Sequence, residues 1–168
     1  YTVALNGSSA DVAAALAGSF ADAYTGNVTL SDNHTLAQLK AINNATSGQL
    51  TLNYYAVALS GSVADIKAAL AGSFAAAYTG NITLNDANGT SIAAADITTI
   101  AGATNGTVTV TNNIDIIGTS AAIAAAVGNV DTFSGTPTVS LENAHTLAEL
   151  KAINDAISGT ITLHDYTV

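Results

Sequence analysis

Six short stretches of the chain alternate strictly between apolar and polar positions, and a glycine opens each one. Val28/Leu30, Leu50/Leu52, Ile82/Leu84, Val108/Val110, Val139/Leu141 and Ile161/Leu163 supply the apolar positions. Residues such as Asn27, Thr29 and Ser31 fall between them. A period of two predicts strands with one buried and one polar face. Between these stretches the apolar residues change period. Leu36, Leu39 and Ile42, Val12 and Leu16, and Ile66 and Leu70 fall at three- and four-residue steps, which predicts helices with one buried stripe. Ser8-x-x-Asp11, Ser62-x-x-Asp65, Thr35-x-x-Gln38 and Thr146-x-x-Glu149 read as capping boxes at the helix starts. The opening glycines, each following a helix or its trailing loop, are expected to take the left-handed conformation.

A longer repeat lies above this alternation. Residues 1–11 match residues 55–65, a shift of 54 (55 − 1), and the match continues through Phe20/Phe74, Tyr24/Tyr78 and Leu30/Leu84. The segment Thr35 to Asn43 returns almost unchanged as Thr146 to Asn154, a shift of 111 (146 − 35). Three units follow, 1–54, 55–113 and 114–168, each built of two strand–helix halves. Fixed-period self-similarity marks a stacked repeat protein. The expected fold is an α/β right-handed strand–helix solenoid resembling leucine-rich repeats. It should have one parallel sheet and a layer of Ala-rich helices. Phe20, Tyr24, Phe74 and Tyr78 are expected in its core.

Composition narrows the functional classes. Of 168 residues 49% are hydrophobic and only 9% are charged, against about 25% charged in an ordinary soluble domain. Three Lys+Arg against twelve Asp+Glu give a net charge of −9. Such a field repels phosphate backbones and anionic lipid, which argues against nucleic-acid partners, and no apolar run is long enough for membrane insertion. Cysteine is absent, so disulfides and thiolate chemistry are excluded.

Candidate chemistry is sparse, and no enzyme is expected. His34 and His145 hold equivalent places before capping threonines and read as solvent-exposed turn residues. The lysines, Lys40, Lys67 and Lys151, fall on predicted helices and read as solvated. Ca²⁺ is the better small-ligand candidate. Asp32, Asp86, Asn88, Glu142 and Asp165 supply oxygen donors at or just past strand ends, and hard oxygen ligands suit this ion. Side-chain turns explain the same residues. The polar strand face carries a central column of Thr29, Thr51, Thr83, Thr109, Ser140 and Thr162, a surface built for water or for a partner.

The Ala/Thr/Asn/Gly-rich, acidic, cysteine-free repeats around Leu39 to Asn43 and Leu150 to Asn154 resemble tandem repeats of giant secreted bacterial surface proteins, adhesin-like or sheath-like. The resemblance implies an extracellular or cell-surface setting and a structural or adhesive role. Neither end carries a polar cap, and Tyr166-Thr167-Val168 repeats Tyr1-Thr2-Val3. The expected function is therefore a structural module stacking end to end into a stalk or filament. Its self-contacts would come from Tyr1, Val3, Leu5, Leu163, Tyr166 and Val168. The alternative is a binding surface on the threonine column, for ice or for calcium-dependent adhesion to glycans.

Overall fold

The computed structural model describes residues 1–164 and has an α/β fold with parallel sheets and six helices among them. In chain order the elements are β1 (Leu5–Gly7), α1 (Ser9–Leu16), β2 (Val28–Leu30), α2 (Leu36–Ala45), β3 (Leu50–Leu52), β4 (Leu59–Gly61) and α3 (Val63–Leu70). They continue with β5 (Ile82–Leu84), β6 (Ser91–Ala93), α4 (Ala94–Ala103), β7 (Val108–Val110) and β8 (Asp115–Gly118). The remainder are α5 (Ser120–Gly128), β9 (Thr132–Phe133), β10 (Thr138–Leu141), α6 (Leu147–Ala156) and β11 (Ile161–Leu163).

The helix starts follow the sequence signals. Thr35 Oγ1 accepts from the Gln38 backbone N–H while the Gln38 side chain takes the Thr35 N–H, and Thr146 and Glu149 do the same. Ser8 and Ser62 accept from the backbone N–H groups of Asp11 and Asp65. Each cap satisfies amide donors that the helix itself leaves without partners.

The chain divides into two compact units. The first comprises residues 1–82 with 103–106, and the second 83–102 with 107–168. In the first, β1, β2 and β3 lie side by side and parallel, with Leu5 opposite Val28 and Val28 opposite Leu50. Their alternating Val28, Leu30, Leu50 and Leu52 are buried together with Leu39 and Ile42 of α2. Burial of each such side chain stabilises by about 1.5–3 kcal/mol. In the second unit the parallel sheet runs β6-β8-β10-β11, with Ile92 opposite Ile116, Val139 beside Ile116, and Ile161 beside Val139. There Thr109 of β7 also faces Thr132 of β9.

The strands do not form the single sheet expected from the sequence. The neighbours Val28 and Leu50 (50 − 28 = 22) and Val139 and Ile161 (161 − 139 = 22) are paired as the pattern suggests. The step of 26 from Ile82 to Val108 is also bridged, β5 lying beside β7, but the steps of 32 (82 − 50) and 31 (139 − 108) are not. Each contains a further strand, β4 after Leu50 and β8 after Val108, which takes up the pairing. Paired residues then recur at similar separation, from 22 for Val28–Leu50 through 24 for Ile92–Ile116 (116 − 92) to 26 for Tyr78–Thr104 (104 − 78). A parallel crossover with its helix needs about that length.

The opening glycines also act differently from the expectation. Positive φ occurs only at Gly89 and Gly118, among glycines and non-glycines of the described residues. Gly48 instead lies so close to the backbone 22 residues earlier (48 − 26) that a Cβ there would drive into the Gly26 carbonyl, and a Cβ on Gly106 would stand 2.5 Å from the Gly80 oxygen. Two backbones meeting at that distance leave no room for a side chain. Thr46 and Thr104 seal these crossings. Their hydroxyls donate to the Gly26 and Gly80 carbonyls (3.0 and 2.8 Å) and accept from the Gly48 and Gly106 N–H groups.

Candidate functional site

The polar column is divided by the strand pairing. Thr29 lies between Asn6 and Thr51 in the first unit, and the two threonines edge a shallow depression shared with Ser31 and Asn53. In the second unit Ser140 stands between Ile117 and Thr162. Thr109 faces Thr132, with Thr83 on the adjacent strand. Thr51 and Thr162 are exposed, while Thr29, Thr83, Thr109 and Ser140 are half-buried. The hydroxyls are therefore brought together in short groups rather than in one column of six.

The strand-end oxygens link segments more than twenty residues apart. Asp32 Oδ1 accepts from the Ser9 N–H at 2.7 Å, and Asn88 Oδ1 accepts from the Asn113 N–H at 2.9 Å. Asn113 in turn takes the Thr136 N–H at 2.7 Å, and the Asn112 amide donates to the Asp86 carbonyl at 2.8 Å. The Asn53 amide does the same to Ser31 (3.2 Å). Glu142 is exposed. Among the described residues no group of three or more His, Asp or Glu is arranged to hold a metal ion. Asp165, with Tyr166 and Val168 of the expected end contacts, lies outside the described residues.

The other end residues are accessible. Tyr1 and Val3 are 55% and 76% exposed, and Leu5 and Leu163 are half-buried. At the other end of the chain Leu147, Leu150, Lys151, Asn154, Ile161 and Leu163 line an open apolar hollow between α6 and β11. Leu147 is 74% exposed there. The aromatic expectation divides: Tyr24 and Tyr78 are buried, Phe74 is half-buried, and Phe20 is 45% exposed.

The histidines are not solvent residues. His34 and His145 are buried, and neither Nδ1 has a hydrogen-bond partner. His34 Nε2 sits 3.1 Å from the Tyr78 hydroxyl, which donates its own proton to the Val57 carbonyl at 2.6 Å. Sequence offered no local sign of this, because the covering tyrosine comes from the following unit. Burial pushes the His34 pKa down, against a smaller upward pull from Asp32, and burial pushes the Tyr78 hydroxyl up.

Lys40 and Lys151 are paired rather than simply solvated. Lys40 bonds Asp65 across the α2–α3 contact at 2.5 Å, and Lys151 pairs with Asp155 one turn along α6. The hydrogen bond from Lys40, then that from Ser62, lowers the Asp65 pKa. Glu149 is lowered chiefly by the Thr146 backbone N–H and next by the Ser120 hydroxyl. Sequence reading missed Thr46, Thr104 and the Lys40–Asp65 pair. The recurring Thr-x-Gly before two strands was the available signal.

No family model, curated protein or solved structure matches this chain. No helix among the described residues is long and apolar enough to cross a membrane.

Proposed function

We propose that the chain is an extracellular structural repeat module, coiled as a right-handed strand–helix solenoid, that stacks end to end into a stalk or filament. Support comes from the similar spacing of paired strands and from the glycine crossings that let one coil lie on the next. The observation that carries the reading is the open face of α6 and β11. Their apolar residues line an open hollow, whereas Leu39, Leu50 and Leu52, the same positions 111 residues earlier, are buried. An uncovered apolar face at the end of a coil stack favours continuation by another coil. The extracellular setting rests on the resemblance to secreted surface repeats. Division of the threonines among short groups gives less support to a flat binding surface.

Electron microscopy of the concentrated chain tests the proposal. Filaments or stalks with a repeating axial period are expected; particles that remain single at every concentration overturn it.

A further inference from the structure

Resting on that stacking reading, we infer which surfaces meet: the open face of α6 and β11 receives α1 and the loop after it from a second copy of the chain. The occupant is argued from an interface already present inside the first unit. There α2 packs against α3. The 111-residue repeat makes α6 the twin of α2 (151 − 40 = 111), and the 54-residue repeat makes α1 the twin of α3 (65 − 11 = 54). The molecule thus contains one covered example of the joint and the two halves of an uncovered one.

Each contact of the covered example has its counterpart in the halves. Lys40 pairs with Asp65, and the Asn43 amide donates to the Ala68 carbonyl at 2.7 Å. The twins are Lys151 with Asp11 and Asn154 with Ala14, and Asp11, Lys151, Asn154 and Ala14 are all exposed. Leu36 reaches so near Gly61 that a Cβ on the glycine would strike it, and the twins are Leu147 and Gly7. The edge of β3 is completed by the loop after α3. The Leu50 N–H donates to Ser73 and the Ala75 N–H donates to Leu50, both at 2.8 Å, with Phe74 alongside. The twin loop holds Phe20, which is 45% exposed. A lysine on one face would meet an aspartate on the other, with Lys151 shared between Asp11 and its present partner Asp155.

Gly18 gives independent support. Its twin, Gly72, is packed so tightly that a Cβ would overlap Asn43 Oδ1, yet around Gly18 there is nothing within 4 Å. Within one chain nothing demands a glycine at 18. In the joint, Asn154 of the neighbouring copy would occupy that space. Tyr24 would likewise bring its hydroxyl to the already buried His145, as Tyr78 does to His34.

Sedimentation velocity of the 168-residue chain over a concentration series tests this, with the melting temperature of dilute samples as a check on folding. The wild type is expected to associate head to tail. Leu147→Glu and Gly18→Leu should leave melting unchanged and weaken association about tenfold or more, as expected for losing one buried leucine. Asp11→Lys should weaken it by about two- to fivefold, the scale of an exposed ion pair, and adding Lys151→Glu should restore it. Wild-type-like association in both Leu147→Glu and Gly18→Leu overturns this joint while leaving end-to-end stacking standing. A wild type that stays monomeric overturns both.

Discussion

His34 Nε2 lies 3.1 Å from the hydroxyl of Tyr78, a residue 44 positions further along the chain. The single phenolic proton is committed to the Val57 carbonyl, which casts the imidazole as the donor through Nε2–H, and burial, which lowers the His34 pKa, favours its neutral form. One buried tyrosine thereby fastens two consecutive sequence repeats within the first compact unit. Tyr78→Phe keeps the ring but leaves both His34 and the Val57 carbonyl without a partner. It should lower stability by about 1–3 kcal/mol, measured by urea unfolding; an unchanged midpoint would mean water replaces the hydroxyl.

The same burial gives stability a pH dependence. The folded pKa of His34 is depressed, so below the unfolded value of about 6.5 the unfolded chain binds the proton more readily. His34's contribution should be complete above that value and fall away as the pH drops toward the folded pKa. Urea midpoints taken from pH 8 to pH 5 should therefore decline, and His34→Gln should make the decline shallower. An identical slope in the variant would show that other groups cause it.

The helix caps allow a comparison of twins. Thr35→Ala and Thr146→Ala each remove a hydroxyl that accepts from the third helical residue. Each should cost about 1 kcal/mol. Thermal melts of the two variants should shift downward by similar amounts.

Glycine substitutions should separate crossings from ordinary positions. Gly48→Ala forces a methyl into the Gly26 carbonyl and should lower the melting temperature sharply or prevent folding. Gly102→Ala, on α4 with nothing within 4 Å of the added methyl, should stabilise by about 0.5–1 kcal/mol. Equal effects at the two sites would refute the crossing account.

Local features were legible in the sequence because local physics sets them. The caps at Thr35 and Thr146 and the buried alternation of Val28 and Leu30 depend on residues a few positions apart. Strand partners were harder, since β4 and β8 are short and their pairing depends on residues more than twenty positions away. The glycines were misread for a similar reason. Gly48 is constrained by Gly26, 22 residues earlier, not by the helix before it. The partner of His34 is a tyrosine from another repeat. For the polar column, the right residues were visible but their division among sheets was not.

Burial of Tyr78 also gives the protein an optical gauge of its own integrity. Its hydroxyl pKa is raised by desolvation, so its contribution to stability is complete below the unfolded tyrosine value of about 10 and is lost as the pH climbs beyond it. The chain has no tryptophan, leaving phenolate absorbance unobscured. In strong alkali the release of this one phenol should arrive with unfolding itself, as a cooperative step in the ultraviolet titration.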